Sequence, residues 1–234
     1  MLLLAFETSA KAASVALFDG EKLLGESYQN TGLTHSQTLM VMAEDLIKQC
    51  GYTPADITHT AVAAGPGSFT GVRIGVAAAK GFAWGKEIPC YGVSTLEAMA
   101  LGLGLWEGTI VCAMDARRNQ VYNAVFQAKN GQLTRISEDR AISLAALGEE
   151  LKSASGPIYL VGDGVALTYR TLTGLPLILP SEWRQHQRAV GVGLAALSAI
   201  ERGEEGNAAA LAPNYLRLSQ AERERLEKEN KGEN

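Results

Sequence analysis

Cysteine and histidine are scarce in this sequence, which has three of each among its 234 residues. Cys50, Cys90 and Cys112 stand far apart in or beside apolar segments and form no Cys-x-x-Cys pair. This spacing excludes a disulfide framework and a cysteine-ligated zinc site, and it indicates a reducing compartment. The histidines never share a helical turn, whereas a transition-metal site needs several N, O or S ligands held together. We therefore expect no bound metal and no cofactor.

An excess of basic residues and a long apolar run are also missing. The formal net charge is −4, so no overall positive field attracts nucleic acid. The apolar run at the N-terminus stops at Glu7 without a basic flank, which makes it too short for a signal peptide or a membrane span. Hydrophobic residues make up 47% of the chain, enough for one large domain or two modest ones. We expect a cytoplasmic protein.

The turn Gly65-Pro66-Gly67 and the helix after it form the most distinctive segment. An apolar run at residues 60–64 predicts a buried strand before the turn, and Ser68 or Thr70 is placed to cap the helix. No lysine lies nearby, which excludes a Walker loop, and Thr70 stands where a Rossmann fingerprint needs its third glycine. Such a strand–turn–helix can hold an anion on its amide groups. A tight turn with a close helix contact is the preferred interpretation.

Two predicted helices carry surfaces that suggest a partner. In the helix predicted at residues 69–84, small residues recur every four positions and leave one face almost without side chains. They are Gly71, Gly75, Ala79 and Ala83. Glycine costs a helix about 1 kcal/mol relative to alanine, so close approach by another helix is the expected compensation. The helix predicted at residues 35–49, capped by Thr34, has more apolar positions than one stripe needs, which indicates a core position or a shared surface.

The first hairpin of the chain recurs in its second half. An apolar strand at residues 2–6 leads to Glu7, a Thr/Ser turn and a second strand at residues 13–19. Residues 2–18 lie over residues 110–126 without a gap, and Glu7 falls on Asp115. Duplicated hairpins of this kind resemble the organisation of actin-like ATPases, whose first turn meets phosphate. Because Lys11-Ala12-Ala13 stands where the glycines of such a loop would be, a degraded nucleotide loop is the preferred interpretation.

Four segments resemble the TsaB family, also called YeaZ: Phe6-Glu7-Thr8-Ser9, Gly65-Pro66-Gly67-Ser68-Phe69-Thr70-Gly71-Val72-Arg73-Ile74-Gly75, Asp115-Ala116-Arg117-Arg118 and Pro213-Asn214-Tyr215-Leu216-Arg217. The resemblance implies an actin-like (ASKHA, ribonuclease H-like) duplicated α/β fold, with two α/β subdomains built on mixed sheets. Residues 1–102 would form the N-terminal subdomain with the partner-binding helices, and residues 103–218 the C-terminal subdomain. Residues 219–234 are almost wholly charged, and we expect a solvated helix or a disordered tail there.

The resemblance also implies a non-catalytic subunit for threonylcarbamoyladenosine formation in tRNA, at the adenosine next to the anticodon. Such a subunit pairs with its paralogue TsaD, the catalytic subunit, through the helices near residues 35–49 and 69–84, and it can self-associate as a homodimer when alone. It supports assembly with the ATPase TsaE, while TsaC supplies the threonylcarbamoyl-adenylate donor. It meets tRNA through the complex and needs no membrane. The interface residues implied are His35, Leu39, Met42, Leu46, Phe69, Gly71, Val72, Gly75, Val76, Ala79 and Ala83.

Two positions bear on the catalytic question. TsaD holds its metal with a His-x-x-x-His pair on the helix that here begins at residues 94–95, and Thr95 and Met99 stand at that spacing. We therefore assign no catalytic residue. Glu7, Thr8 and Ser9 are retained as weak phosphate-loop candidates.

Two alternative functions remain. The first is an actin-like small-molecule kinase that uses Glu7, Ser9 and Asp115 around ATP, which the missing loop glycines disfavour. The second is a glycoprotease-type hydrolase, for which a nucleophile–base pair is needed. Ser68 and His35 would have to form that pair, and their spacing gives it no support.

Overall fold

The computed structural model describes residues 1–104 and 106–217. Its first half contains five strands and two long helices, with a short 3₁₀ turn at Pro54–Asp56. They are β1 (Leu2–Glu7), β2 (Ala13–Asp19), β3 (Lys22–Gln29), α1 (His35–Gln49), β4 (His59–Gly65), α2 (Phe69–Trp84) and β5 (Cys90–Ser94). The helix α3 (Thr95–Leu103) then leads into the second half.

The second half repeats this plan. Its elements are β6 (Gly108–Asp115), β7 (Gln120–Lys129), β8 (Gln132–Arg135), β9 (Arg140–Ser143), α4 (Leu144–Leu151), β10 (Ile158–Val161), α5 (Val165–Thr171), β11 (Leu177–Ile178), α6 (Glu182–Gln185) and α7 (Ala189–Glu201). Its first hairpin is longer, and its helices α4 and α5 are shorter than α1 and α2. The first sheet has the order β3-β2-β1-β4-β5, and the second has the matching order β8-β7-β6-β10-β11, with β9 also paired to β7. In each sheet the first three strands of this order are antiparallel. The last two strands pair in parallel, so the predicted duplication is confirmed.

The helices lie in layers between and outside the two sheets. Because β1 is covered on both faces, its run of apolar residues is continuous rather than alternating. Leu2, Leu4 and Phe6 pack with α1 and α2, while Leu3 and Ala5 pack with α3 and α7. The helix α3 also covers one face of the second sheet, and α4 and α5 cover its other face.

The ungapped register predicted for the two hairpins is wrong by one residue. Glu7 pairs with Ser14, so the same register would pair Asp115 with Tyr122, but Asp115 pairs with Val121. The second turn is therefore shorter. It closes through three consecutive left-handed residues, Arg117–Asn119, with φ values of 66°, 55° and 55°. Each of the two acids nevertheless ends its strand, as the alignment predicted.

Helix bounds at residues 35–49 and 69–84 agree with the prediction, but one cap does not. The Ser68 hydroxyl accepts from the amide of Gly71 at 3.3 Å, as expected for a cap. Thr34 occupies the cap position of α1, yet its hydroxyl makes no capping hydrogen bond; its carbonyl accepts from the amide of Gln37 instead. The prediction of a side-chain cap at Thr34 is therefore wrong.

The helix α7 and the segment after it return to the first sheet. Ala189, Val192 and Ala196 lie in the same core cluster as Leu3 and Phe18.

The division of the chain into two subdomains near residue 102 stays a prediction. The tail proposed for residues 219–234 lies outside the described residues. Within the described part of the chain, no helix is both long enough and apolar enough to cross a membrane.

Candidate functional site

The interface residues predicted on α1 and α2 lie mostly inside the protein. Those buried in the chain's own structure are Leu39, Met42, Leu46, Gly71, Val72, Gly75, Val76, Ala79 and Ala83. His35 and Phe69 are half-buried. His35 donates through Nε2 to the carbonyl of Ala10 at 2.8 Å, and Phe69 stacks on Tyr215. The buried set covers β1, β2 and β4 within this chain. The contact of these residues with a partner therefore stays a prediction.

The small-residue face of α2 accommodates the turn after β1. A Cβ on Gly71 would overlap the carbonyl of Thr8, and a Cβ on Gly75 would overlap the Thr8 hydroxyl. That hydroxyl donates to the carbonyl of Gly71 at 2.7 Å in a buried hydrogen bond. The close approach that the glycines predicted therefore exists, but it is made by Thr8 of the same chain instead of a partner helix.

The outer face of α2 carries a second set of small residues. Ala77 and Gly81 are exposed there, between the exposed side chains of Arg73 and Trp84, and Trp84 is 69% exposed. A Cβ on Gly81 would meet no atom within 4 Å, so nothing inside the protein requires glycine at this position. Since glycine costs a helix interior about 1 kcal/mol, Gly81 is unexplained by the packing of this chain.

The helix α1 contacts α2. The exposed, outer face of α1 carries apolar residues near the middle of the helix. Met40 is 45% exposed and Val41 is 57% exposed, while Glu44 and Lys48 lie one and two turns further on. Large apolar side chains grouped on one exposed face are typical of interaction surfaces. Sequence reasoning noticed the excess of apolar positions in α1. It did not separate the inner positions, such as Leu39, from the outer ones.

Glu7, at the end of β1, is fully buried. Its Oε1 accepts from the amide of Ser9 at 2.6 Å, and its Oε2 has no hydrogen-bond partner among the described residues. Burial raises the pKa of Glu7 from its ordinary 4.5 to about 7, and the hydrogen bonds from Ser9 and Thr8 offset part of the effect. The amide of Ser68 in turn donates to the carbonyl of Ser9 at 2.7 Å, which holds this turn beneath the start of α2.

The three phosphate-loop candidates have different surroundings. The Thr8 hydroxyl is engaged with Gly71, and the Glu7 carboxyl is engaged with the Ser9 amide. The Ser9 hydroxyl is buried and has no partner among the described residues. With two of the three groups already in internal hydrogen bonds, the phosphate-loop role of these residues stays a prediction.

Asp115 repeats the local geometry of Glu7 in the second hairpin. Its Oδ1 accepts from the amide of Arg117 at 2.7 Å, two residues further along, as Glu7 accepts from Ser9. The two turns face each other across a cleft of about 600 Å³. Its lining includes Ser9, Ser68, Phe69, Asp115, Arg117, Asp163 and Arg217. Burial also raises the pKa of Asp163 at the base of the cleft, with the Gln187 amide hydrogen-bonded to it offsetting part of the effect.

The two positions of this chain that stand at the His-x-x-x-His spacing lie in the core. Thr95 and Met99 on α3 are both buried, and Met99 packs with Leu96 and Leu103 against the second sheet. Across residues 1–104 and 106–217, no three histidine, cysteine or carboxylate side chains come together as metal ligands.

Comparison with known proteins places this architecture in one family. The family model for TsaD, the tRNA N6-adenosine threonylcarbamoyltransferase, matches residues 29–224. The TsaB protein of Bacillus subtilis, named for tRNA threonylcarbamoyladenosine biosynthesis, is 32% identical over 97% of this chain and 99% of its own length. The chain belongs to the TsaB family. The Escherichia coli TsaB protein is 35% identical over 70% of this chain and 72% of its own length.

Solved structures agree with the TsaB assignment. YeaZ from Pseudomonas aeruginosa has a TM-score of 0.73 at 25% identity, covering 92% of this chain and 99% of its own. A second Pseudomonas aeruginosa structure, described as similar to the peptidase YeaZ, reaches 0.78 at 26% identity with the same coverage. Component A of (R)-2-hydroxyglutaryl-CoA dehydratase from Acidaminococcus fermentans covers 86% of this chain and 98% of its own, with a TM-score of 0.50 at 13% identity. It is similar in fold alone, and the predicted actin-like fold is confirmed.

Replacing Gly75 with leucine is expected to destabilise this TsaB-family chain. The new side chain would overlap the Thr8 hydroxyl and press on Val62, whose Cγ2 lies 3.2 Å from the Cβ position. Overpacking of this kind costs about 3 kcal/mol, and a Tm fall of roughly 6–12 °C follows for a chain of this size. Gly81→Leu in the same helix is the matched control, because its Cβ enters open space. Equal melting temperatures for the two variants at matched low concentration would contradict the inward orientation of Gly75.

Replacing Glu7 with glutamine is expected to remove a pH dependence of stability. Since the folded-state pKa of about 7 lies above 4.5, the folded chain holds the proton more tightly than the unfolded chain. The stability due to this group is therefore fully present below pH 4.5 and is lost as the pH rises through 7, by about 3 kcal/mol. Urea unfolding at several values between pH 5 and 8 measures the difference.

Glu7→Gln mimics the protonated carboxyl, so it should gain stability relative to the native chain as the pH rises. Glu44→Gln, on the exposed face of α1, controls for the loss of one negative charge. If the unfolding free energies of Glu7→Gln and the native chain kept a constant difference across this range, the buried state of the Glu7 carboxyl would be ruled out.

Proposed function

We propose that this chain is a non-catalytic subunit that pairs with TsaD in the formation of threonylcarbamoyladenosine in tRNA. The outer faces of α1 and α2 form the pairing surface, and the complex assembles with TsaE and receives its donor from TsaC. The same surface allows a homodimer when TsaD is absent. Membership of the TsaB family supports the pathway, since curated relatives carry the name of that biosynthesis.

The observation that carries the pairing proposal is the exposed, small-residue outer face of α2. Ala77 and Gly81 leave the helix backbone accessible over about one turn, and Met40 and Val41 add apolar surface on the neighbouring α1. A partner helix could pack closely against this face because no side chain projects from Gly81. The exposed Trp84 is of the residue type that most often dominates binding energy at interfaces.

The absence of a catalytic role is supported by the core positions of Thr95 and Met99. A hydroxyl and a thioether stand where the related TsaD helix carries its histidine pair, and both are buried in the described structure. Glu7 and Asp115 hold backbone amides of their own turns. The kinase alternative would need Glu7 and Asp115 to face a substrate. The hydrolase alternative would need Ser68 and His35 to form a pair, but the Ser68 hydroxyl caps α2 and His35 donates to the Ala10 carbonyl. We therefore place both alternatives behind the pairing role.

Gly81→Leu is expected to weaken association with TsaD while the fold stays intact. A leucine on the outer face removes the close approach of a partner helix, and a loss of at least about tenfold in affinity is expected at such a contact. Binding of purified TsaD, followed by analytical ultracentrifugation or calorimetry, measures the effect. Gly174→Leu is the matched control, because Gly174 is exposed in the second half and its Cβ also meets nothing within 4 Å.

Three outcomes of that experiment can be told apart. Lost binding in Gly81→Leu with unchanged Tm, and normal binding in Gly174→Leu, supports the pairing surface. Normal binding in both variants places the partner on another face. Absence of binding by the native chain itself contradicts the pairing proposal as a whole. All measurements use matched concentrations, because self-association through the same face would raise the apparent stability.

The isolated chain is expected to bind tRNA weakly and to lose that binding as salt is added. Its net charge is −4, and Arg117 and Asp115 form an ion pair of 3.9 Å at the cleft that offsets one of the local cations. Filter binding in 50 to 200 mM salt should give dissociation constants weaker than about 1 µM, as for non-specific contacts. A submicromolar complex that resists salt would show that this subunit binds tRNA directly, without TsaD.

A further inference from the structure

The segment that follows α7 is irregular, yet it is fixed to the first half of the chain. The amide of Asn214 donates to the carbonyl of Ala64 at 2.6 Å. Lys80 on α2 donates through Nζ to the carbonyls of Leu211 at 2.7 Å and Ala209 at 3.3 Å. The side chain of Leu211 packs against the first core. These contacts hold residues 207–214 against β4 and α2.

Tyr215 continues this attachment at the first turn of α2. Its ring stacks on Phe69 with the centroids 4.0 Å apart and the planes within 3° of parallel. Arg73 donates through Nε to the Tyr215 hydroxyl at 2.7 Å, and its guanidinium lies over both rings. The stack, the hydrogen bond and the cation–π contacts act on one side chain, so Tyr215 is held at several points.

Arg217, two residues further on, contacts the second half. Its guanidinium donates to the carbonyl of Ala116 and also approaches the carbonyl of Arg117 at 3.5 Å. These carbonyls belong to the short turn whose residues Arg117–Asn119 are all left-handed. Non-glycine residues seldom adopt that conformation, so the turn requires support from its surroundings, and Arg217 provides a charge-assisted hydrogen bond to it.

The two attachments lie on opposite walls of the cleft. Phe69 lines the wall of the first half, and Ala116 and Arg117 line the wall of the second. Tyr215 and Arg217 therefore connect the two walls through only one intervening residue. Widening of the cleft would pull the contacts of Tyr215 and those of Arg217 in opposite directions.

From these contacts we infer that residues 207–217 form a clasp that holds the cleft between the two halves at a fixed width. Release of the clasp at Tyr215 or Arg217 is the step that permits the halves to open. The contacts that connect the two walls come from the segment Pro213-Asn214-Tyr215-Leu216-Arg217, for which the sequence alone indicated no structural role.

Arg73 connects the clasp to the pairing surface, and this part rests on the proposed function. Arg73 is exposed on the outer face of α2, one turn before Ala77, and it donates to Tyr215 behind it. A partner carboxylate that accepts from Nε of Arg73 would compete with the Tyr215 hydroxyl for that donor. Pairing on α2 would then loosen the clasp and widen the cleft.

The clasp is tested on the isolated full chain by measuring the distance between its halves. Spin labels attached to the variants Thr70→Cys and Ala166→Cys, in a Cys50→Ser background, report that distance. Both positions are exposed and lie on opposite halves near the cleft. Double electron–electron resonance should give one narrow distribution for the otherwise native chain. Arg217→Ala and Tyr215→Leu should each add a longer population, and amides at residues 116–120 should exchange their hydrogens faster.

Arg202→Ala is the matched control. Arg202 lies just before the clasp, and its ion pair with Glu204 does not connect the two walls of the cleft. It should keep the narrow distribution. Circular dichroism and melting of each variant establish that it is folded. If folded Arg217→Ala and Tyr215→Leu both kept the native distance distribution and native exchange, the clasp would be disproved.

Addition of purified TsaD to the labelled native chain tests the connection through Arg73. A shift towards the longer population on binding supports it. Binding without any shift disproves the connection and leaves the pairing proposal intact. Failure of the unlabelled native chain to bind contradicts the pairing proposal, whereas the clasp is still decided by the variants measured on the isolated chain.

Discussion

The contact between Thr8 and α2 is the constraint on which the rest of the structure depends. The Thr8 hydroxyl donates to the Gly71 carbonyl, and the chain reaches this position because Gly71 and Gly75 carry no side chain. With Thr8 fixed, the Ser9 carbonyl accepts from Ser68 and the Glu7 carboxyl is enclosed beneath the turn. The two glycines cost the helix about 2 kcal/mol together, and the buried contact with Thr8 compensates for that cost.

Because of this contact, Glu7 and the turn after it lie in the interior of the protein. In both hairpins the acid accepts from an amide two residues further on, so each carboxyl stabilises its own turn. Burial of Glu7 without an opposite charge raises its pKa and costs stability at neutral pH. The exposed face of α2 lies on the opposite side of the helix.

The helix α2 has one buried face and one exposed face. Its inner face holds Thr8 and the first core, and its outer face presents Ala77, Gly81 and Trp84. Arg73 lies at the boundary, exposed on the outside and bonded to Tyr215. The inner face of α2 is closely packed and therefore nearly incompressible. A displacement of α2 caused by binding on its outer face can for this reason reach the segment that is bound at the first turn of the helix. The clasp is that segment.

The sequence by itself determined the bounds of α1 and α2, the two acid-ended hairpins, the duplicated α/β plan and the family. These follow from local signals: periodicity, the Ser68 cap, turn glycines and a long motif at residues 65–75. Tertiary structure alone decided that Gly75 faces Thr8 while Gly81 faces outwards, that the second hairpin is one residue shorter, and that Tyr215 stacks on Phe69. Periodicity reveals what a helix face is made of, but which neighbour covers that face depends on contacts between residues far apart in the chain.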